Sequence, residues 1–172
     1  MNRLVAPAVL LLVASVRASA GNVDHAAQGQ VYFFVGPIAA TYAGPPPNWG
    51  LRINTGLGGE VHFYRGLGMG AEVGYARSGS IYQSVGIGSV DLAYHFVSEH
   101  SSRIEPFAIG GPSVYFGNGG HTTGFDFGGG LNYWVQKHVA IRFEIRDHAH
   151  IGPYEFPGRT GFVAFRFGVT FR

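Results

Sequence analysis

The sequence predicts an all-β fold, an eight-stranded antiparallel transmembrane up-and-down β-barrel. The first observation is composition: the chain has 28 Gly and 15% aromatic residues, but its 13% of charged residues is about half the share usual in soluble domains. The second is a division into about eight stretches rich in aromatic and β-branched residues, each bounded by turn residues. The third is that charge falls on one of the two faces of these stretches.

Residues 1–20 are predicted to be a secretory signal peptide, and residues 21–172 the barrel domain. Arg3 supplies the positive n-region, residues 4–16 the apolar core, and Ala18-Ser19-Ala20 the small residues of a cleavage site. An N-terminal membrane anchor is the alternative, but the apolar run is short and ends at Arg17. After it, no apolar stretch approaches the roughly 18–20 residues that a spanning helix needs.

Charge and cysteine content exclude several function classes. Of the 12 basic residues, Arg3 and Arg17 lie in the leader, so the remaining 10 equal the 10 acidic residues. The mature chain is formally neutral and has no run of Lys or Arg, so we expect no nucleic-acid partner. The sequence has no Cys, which excludes disulfides, thiolate metal sites and a Cys nucleophile.

The predicted strands follow one another with connections of alternating length. The strands are expected near 29–40, 51–64, 67–77, 85–97, 104–116, 124–135, 139–148 and 161–172. The short connections are 65–66, 97–103 and 136–138, and the long ones are 42–50, 78–84, 117–123 and 149–160. Outer-membrane barrels alternate short periplasmic turns with longer external loops in this way, which puts both termini on the periplasmic side.

Four places depart from a regular strand pattern. Residues 31–35 are apolar on both faces, so the register of the first strand stays open. Pro37 and Pro112 lie in strand-like segments, and because Pro has no N–H to donate, we expect a bulge or a rim position at each. A change of phase near Gly88-Ser89 predicts a further bulge.

Six strands can be laid out with a period of two, and their faces differ sharply. One face is uncharged and bulky, as at Phe127, Phe143 and Phe167. The other face carries His62, His95 and eight charged residues: Glu60, Glu72, Asp91, Asp126, Arg142, Glu144, Arg146 and Arg166. The charged face also carries many glycines, which suits the narrow interior of an eight-stranded tube. A charge on the other face would cost roughly 2–4 kcal/mol at the bilayer midplane, so we predict that this face contacts lipid.

Several aromatic residues are candidates for girdles at the membrane interfaces. These residues are Tyr32, Trp49, Tyr75, Tyr94, Tyr133 and Trp134.

The stretches 104–111 (IEPFAIGG), 124–135 (GFDFGGGLNYWV) and 139–147 (VAIRFEIRD) resemble the bacterial outer-membrane β-barrel domain family, the OmpA-like or porin-like small barrels. The similarity extends over nearly the whole mature chain. The last strand, 165–172, resembles the C-terminal signal that such proteins present to the barrel-assembly machinery, with Phe167, Val169 and Phe171 as its apolar positions. The resemblance implies a location in the cell outer membrane of a Gram-negative bacterium.

The ten inward charged and His residues are predicted to form a hydrogen-bonded network, because an unpaired buried charge is very costly. The preferred interpretation is a polar plug that fills and stiffens the lumen. An ion-selective or gated pore is the alternative. The eight-strand count favours the plug, since open aqueous channels need more strands.

Other constellations give weak signals. His148 and His150, with Glu155 as a third ligand, form a weak candidate metal site, and the competing interpretation is that they are solvated loop histidines. His121 is interpreted as a loop residue of the same kind. Gly128–Gly130 lacks the Lys-Ser/Thr and the helix start of a phosphate loop. We predict no metal and no cofactor.

A lipid-modifying enzyme would need a Ser activated by a neighbouring His. His150, not Ser, lies two residues after His148, and Ser78, Ser80 and Ser84 could approach it only through loop geometry. We predict no catalytic residues.

The sequence therefore predicts an outer-membrane barrel with a plugged lumen and a structural or surface-interaction role for its external loops. A narrow porin-like channel for ions or small solutes is the alternative, and a lipid-modifying enzyme is less favoured. The expected partners are outer-membrane lipids, lipopolysaccharide and the barrel-assembly machinery, and the protein is expected to be a monomer.

Overall fold

A computed structural model of the chain describes residues 28–41, 52–64, 66–77, 84–96, 103–117, 120–150 and 161–172. Eight strands form a closed barrel in which every strand pairs antiparallel with its neighbours in sequence. The strands are β1 (Gln28–Thr41), β2 (Arg52–Tyr64), β3 (Leu67–Arg77), β4 (Ser84–His95), β5 (Ile104–Gly117), β6 (Gly120–Gln136), β7 (Val139–His150) and β8 (Gly161–Phe171). The β1–β8 ladder, which begins at the pair Val31 and Phe171, closes the tube. The predicted eight-stranded antiparallel barrel is confirmed.

The barrel has two ends, which we call the turn end and the loop end. The turn end holds the start of β1, the end of β8, and the tight connections at 65–66 and 137–138. The loop end holds the opposite ends of the strands, including Thr41, Arg77 and Gly161. Within the described ranges, no helix is long and apolar enough to cross a membrane.

The two faces of the sheet have the polarity of a membrane-spanning barrel. Phe127 and Phe167 are 51% and 52% exposed on the outside. The charged Glu144 and Arg166, by contrast, are 4% and 3% exposed and point into the lumen. A water-soluble barrel would carry the opposite arrangement, because its apolar face must be removed from water. The outside therefore suits a hydrocarbon surrounding.

The register of β1, which the sequence left open, is fixed by its pairing with β2 and β8. Tyr32 and Phe34 point inward and are buried, whereas Phe33 is exposed on the outside. Aromatic side chains therefore occupy both faces of this strand. On the inner face they contact arginine side chains of the lumen.

The predictions of bulges were wrong in position. The β3–β4 and β4–β5 ladders keep one register through Gly88-Ser89, so β4 has no phase slip there. The apolar Ile87 misled the prediction because it points into a lumen that becomes apolar toward the loop end. Register shifts occur instead at His62/Tyr64 and at Trp134/Gln136, beside the tight turns.

Pro37 and Pro112 also lie in regular strands without a register shift. The β1–β8 ladder pairs Val35 with Phe167 and next Ile38 with Ala164, so Gly36 and Pro37 are unpaired in this ladder. The register is the same on both sides of this gap. The β4–β5 ladder has the same kind of gap around Pro112. Each proline follows a glycine, Gly36 or Gly111, at which a Cβ would collide with the backbone of the neighbouring strand. Close backbone approach at the glycine thus replaces the expected bulge.

The third long loop was predicted too long. β5 and β6 remain paired up to Gly117 and Gly120, so their connection is residues 118–119 rather than 117–123. His121, expected in that loop, lies in β6 opposite Phe116 and is exposed. Asn118-Gly119 is the kind of dipeptide that favours a two-residue hairpin, and this signal would have given the shorter connection.

Candidate functional site

The candidate site is the polar lumen. Strict two-residue alternation along the strands turns every second side chain inward. All eight charged residues predicted for the lumen lie there, between 0% and 4% exposed. Glu60 and His62 come from β2, His95 from β4, and the pair Arg142 and Arg146 from β7. The structure thus brings all ten predicted lumen residues into the interior of one tube.

Glu144 is the centre of the network. Its carboxylate accepts hydrogen bonds from Arg142 Nε at 3.0 Å and Arg146 Nε at 2.7 Å. Arg166 Nη1 donates to the same carboxylate from β8, also at 3.0 Å. Arg142 and Arg146 flank Glu144 on the inner face of β7, two residues to either side, so the alternation of a single strand builds most of this cluster.

A second layer of acids surrounds the outer ends of two of these arginines. Arg146 Nη1 donates to Asp91 Oδ2 at 3.0 Å and lies 3.5 Å from Asp126 Oδ1. Arg166 Nη1 lies 2.9 Å from Glu72 Oε1. The network therefore joins β3, β4, β6, β7 and β8 through side chains as well as through the sheet.

Aromatic rings pack against the guanidinium groups. Arg142 lies between Tyr32 and Phe107, 4.2 and 3.9 Å from the two ring centroids. Arg166 lies 4.2 Å from the centroid of Phe34. Stacking on both faces of a guanidinium leaves its edges available for carboxylates, which is how Arg carries a charge into an interior.

A separate cluster at the turn end contains two imidazoles. The Nε2 atoms of His62 and His95 both converge on Glu60 Oε1, the former at 3.0 Å. The second ring nitrogen of His95, Nδ1, lies 2.7 Å from Glu105 Oε1. Glu105 also accepts hydrogen bonds from Asn132 Nδ2 at 3.2 Å and Trp134 Nε1 at 3.0 Å.

Sequence reasoning missed several lumen residues. Glu105 was not placed because the strand around Pro106 had no assigned register. His148, expected to be a solvated loop residue, is fully buried, with Nε2 3.2 Å from Arg166 Nη2. The alternation 142, 144, 146 leads directly to 148, so the pattern in β7 carried the signal. His150, the second member of the weak histidine pair, has a side chain outside the described part of the chain, as has Glu155.

Two of the predicted girdle residues belong to the lumen instead. Tyr32 is buried and its hydroxyl donates to Glu72 Oε2 at 3.1 Å. Trp134 is also buried, with Arg172 packed over its ring at 3.7 Å. Tyr75, Tyr94 and Tyr133 are exposed on the outside, and Trp49 lies outside the described residues.

The loop end of the lumen is apolar. Ile38, Ile87, Phe162 and Ala164 pack with Tyr115 into one buried cluster. Phe162 stacks on His148, with ring centroids 4.4 Å apart. The cluster lies toward the loop end from the charged layer, in which Arg146 and Asp126 are fully buried.

The lumen carries more acid than arginine. In the described strands, six inward acids face three buried arginines; the acids are Glu60, Glu72, Asp91, Glu105, Asp126 and Glu144. Most of the guanidinium contacts go to the central and loop-end acids. At the turn end, Glu60 has Arg142 Nη1 at 3.8 Å and the two imidazoles. The carboxylates at the turn end therefore lie farther from arginine nitrogens than the other lumen acids do, and a further positive charge beside Glu60 would be stabilised.

The chemistry of a nucleophilic enzyme is not assembled in the described lumen. His148 Nδ1 faces the Tyr115 hydroxyl at 3.3 Å, and Ser113 Oγ donates to that hydroxyl at 2.9 Å rather than to the imidazole. All three groups are buried. Ser84 is described at the start of β4, whereas Ser78 and Ser80 lie outside the described residues.

The residues of the predicted assembly signal face outward. Phe167, Val169 and Phe171 alternate along β8 and are exposed on the apolar surface. Their role in assembly stays a prediction. The predicted signal peptide, residues 1–20, lies outside the described residues.

Compared with known proteins by sequence and by structure, the chain matches only solved structures. No family model matches the chain, and no curated protein matches it in sequence. Neisserial surface protein A superposes with a TM-score of 0.68 at 12% identity, covering 84% of this chain and 97% of that one. Ail, the attachment invasion locus protein of Yersinia pestis, gives 0.56 at 11% identity, covering 84% and 97%.

OprG from Pseudomonas aeruginosa gives a TM-score of 0.50 at 12% identity, covering 86% of this chain and 98% of that chain. The chain has the fold of these small outer-membrane barrels.

Proposed function

We propose that the protein is an outer-membrane barrel with a plugged lumen, which serves as a rigid membrane scaffold and acts on its surroundings through the segments at its loop end. The secretory leader at residues 1–20, cleaved after Ala20, belongs to the same proposal, as does a monomeric state. Membership of the OmpA-like small barrels is the finer family assignment that we propose.

The inaccessibility of the central charged layer is the observation that carries the plug. Arg142, Glu144 and Arg146 fill the section of the tube through which any solute would have to pass, and none is more than 4% exposed. Arg146 and Asp126 are both 0% exposed. An eight-stranded barrel has an interior just wide enough for side chains, so a filled lumen is the expected state.

Single-channel recording tests the plug directly. The full chain, refolded and inserted into a planar bilayer, is expected to give no stable conductance steps. Steps of uniform size would favour the alternative, a narrow channel for ions or small solutes. The Arg146→Ala variant is the matched positive control. Removing this central side chain should open a path through the lumen, so the variant should conduct if the assay can detect leakage.

The proposed surface role rests on the unequal connections. The connections at the loop end are residues 42–51, 78–83, 118–119 and 151–160, and those at the turn end are residues 65–66, 96–103 and 137–138, so the two longest connections both lie at the loop end. In outer-membrane barrels the longer connections face outward. Ail, which shares the fold, is named for attachment and invasion, and it is solved in complex with the heparin analogue sucrose octasulfate.

Accessibility on intact cells tests this orientation. An epitope inserted between Pro45 and Pro46 is expected to be reached by antibody without permeabilisation, whereas one inserted between Lys137 and His138 is not. The reverse result would contradict the proposed topology. The proposed contacts with lipopolysaccharide predict, in addition, that the barrel co-purifies with it from outer-membrane fractions.

An enzyme acting on envelope lipid is not favoured, because His148 is fully buried, with Nδ1 3.3 Å from the Tyr115 hydroxyl and Nε2 3.2 Å from Arg166 Nη2, and has no lipid-facing surface. Incubation of the refolded barrel with lipopolysaccharide, followed by mass spectrometry of the lipid, should leave the lipid unchanged. Loss of an acyl chain would support the enzyme instead.

A further inference from the structure

Glu60, His62 and His95 form a compact group of metal-ligating side chains at the turn end of the lumen. One donor atom from each lies within 4.8 Å of the other two. The two imidazoles present the same ring nitrogen, Nε2, and both point at the same carboxylate oxygen, Oε1 of Glu60. A tetrahedral ion with bonds of about 2.0–2.2 Å would need only small side-chain movements to be held by these three atoms.

We propose that this cluster binds a divalent transition-metal ion, with Zn²⁺ as the ion best suited to it. Two imidazole nitrogens and one carboxylate oxygen form a donor set that Zn²⁺ uses with a fourth position left for water or another ligand. Ions such as Mg²⁺ and Ca²⁺ prefer oxygen ligands in larger number, so the two imidazoles select against them.

The surroundings orient the ligands as a metal site requires. His95 Nδ1 lies 2.7 Å from Glu105, so a proton on Nδ1 donated to that carboxylate leaves the Nε2 lone pair directed at Glu60. Metal-binding histidines commonly have such a carboxylate partner, which fixes the tautomer and the ring orientation. Phe107 stacks on the His95 ring, with centroids 5.4 Å apart.

The backbone at His95 is fixed as well. Its N–H donates to the carbonyl oxygen of Gly66 at 2.7 Å. Gly66 lies in the turn after β2 with a φ of +86°, a conformation that favours glycine. A Cβ at this position would also collide with the carbonyl oxygen of His95. This bond continues the β3–β4 ladder past Leu67 and Tyr94, so it holds the end of β4 against the turn that joins β2 to β3, close to His62.

Charge and access both suit a cation. The lumen contains more carboxylates than arginines, and Glu60 has its nearest guanidinium nitrogen, Arg142 Nη1, at 3.8 Å. The side chain of His62 is 16% exposed, whereas those of Glu60 and His95 are 1% exposed. An ion can therefore reach the cluster from the turn end past His62 without crossing the charged centre of the barrel.

A proton competes with the metal for the same place. Without an ion, an imidazolium at His95 would donate to Glu60 and Glu105 at once. With an ion, Nε2 becomes a ligand and the ring is neutral, so binding must release protons and weaken as the pH falls. The proton-only state is the alternative that the experiment must separate from the metal site.

The test uses the full chain, refolded in detergent micelles and freed of metal with a chelator. Zn²⁺ added alone in a calorimetric titration at neutral pH is expected to bind at one ion per barrel. His62→Gln, chosen because this side chain is partly exposed, should weaken binding at least tenfold. Glu105→Gln should weaken it about 10- to 100-fold through loss of orientation. His121→Gln, on an exposed strand position, should bind as the wild type does.

A measurement on the wild-type barrel keeps the proposal testable if a variant does not fold, as judged by heat-modifiable migration on a gel. Zn²⁺ should shift the ¹⁵N resonances of Nε2 in His62 and His95 and leave those of His121 in place. Absence of binding to the wild-type barrel, or equal binding by His62→Gln, would overturn the proposal in favour of the proton-only state. Equal binding of Mg²⁺ would overturn the choice of a transition metal.

Discussion

Glu144 and Arg166 are direct partners in the β7–β8 ladder, and their side chains are also hydrogen-bonded inside the lumen, with Arg166 Nη1 3.0 Å from Glu144 Oε1. Backbone register and charge pairing therefore reinforce one another. A slip of one residue between the two strands would turn one of these charges toward lipid. The lumen network thus specifies the register of the strands as well as filling the tube.

Glu144→Gln should be strongly destabilising. The change leaves Arg142, Arg146 and Arg166 buried around a neutral amide, and breaking a buried ion pair from one side costs about 3–5 kcal/mol. Urea unfolding of the barrel in lipid vesicles would measure the loss. Asp147→Asn, on the neighbouring outward and half-buried position, is the control and should change stability by no more than about 0.5 kcal/mol. Equal losses for the two variants would contradict the central role of Glu144.

Arg142→Met should cause a large loss of heat resistance. Methionine replaces much of the bulk between Tyr32 and Phe107, but it leaves Glu60 and Glu144 without this guanidinium. The heat resistance of Arg142→Lys should lie between those of the wild type and Arg142→Met, since an ammonium keeps the charge but loses the planar fork and the stacking. The temperature at which the folded band disappears on a gel is the readout.

The control for this series is Arg172→Met at the turn end, where the side chain is 31% exposed. Exposed ion pairs contribute little, so this variant should behave almost as the wild type. Unchanged stability in Arg142→Met would show that Arg142 does not hold the network together.

Gly36→Ala should destabilise the barrel by about 1–3 kcal/mol, because the new methyl group would overlap the carbonyl oxygen of Phe165 and force backbone to move. Gly59→Ala is the matched control. Its Cβ would lie 3.6 Å from the nearest atom, the carbonyl oxygen of Gln30, which is an ordinary contact. Urea unfolding should separate the two variants, and a harmless Gly36→Ala would argue against the tight strand approach beside Pro37.

Phe143→Arg tests the lipid-facing surface. Phe143 lies near the middle of β7 and packs edge-to-face on Phe167, with ring centroids 5.5 Å apart. An arginine at the bilayer midplane should cost about 2–4 kcal/mol, whereas one near an interface should cost about 0–1. Phe116→Arg, one residue from the loop end of β5, supplies the second case. If both substitutions were harmless, the exterior would not be in contact with hydrocarbon.

Two-residue alternation was enough to predict the strands and most of the lumen charges, because the pleat of a strand enforces it regardless of distant contacts. The same alternation continues from Arg146 to His148, the last residue of the predicted strand 139–148, and therefore predicts that His148 faces the lumen. The prediction of a phase slip in β4 was wrong because it assumed that the lumen is polar along its whole length, whereas the apolar Ile87 points inward. The apolar cluster at the loop end forms because residues from β1, β4, β5 and β8 pack together, and the sequence of any one strand does not show which residues of the other strands it will contact.

The turn-end cluster could not be predicted from the sequence for a similar reason. His62 and His95 are 33 positions apart on strands that do not pair with each other, and β3 separates them in the sheet. Their rings meet, with centroids 4.3 Å apart, because both point inward across a narrow tube. Glu105 completes the cluster from β5, which was not among the six strands whose faces the sequence assigned.

The ladder between β1 and β8 joins the first and last strands to be synthesised. Without the eleven residues of β8, the edges of β1 and β7 have no partner, and hydrocarbon offers nothing to satisfy their N–H and C=O groups. A chain truncated before Gly161 would therefore not form a stable structure within a bilayer. Both terminal strands are therefore needed before the tube can close within a bilayer.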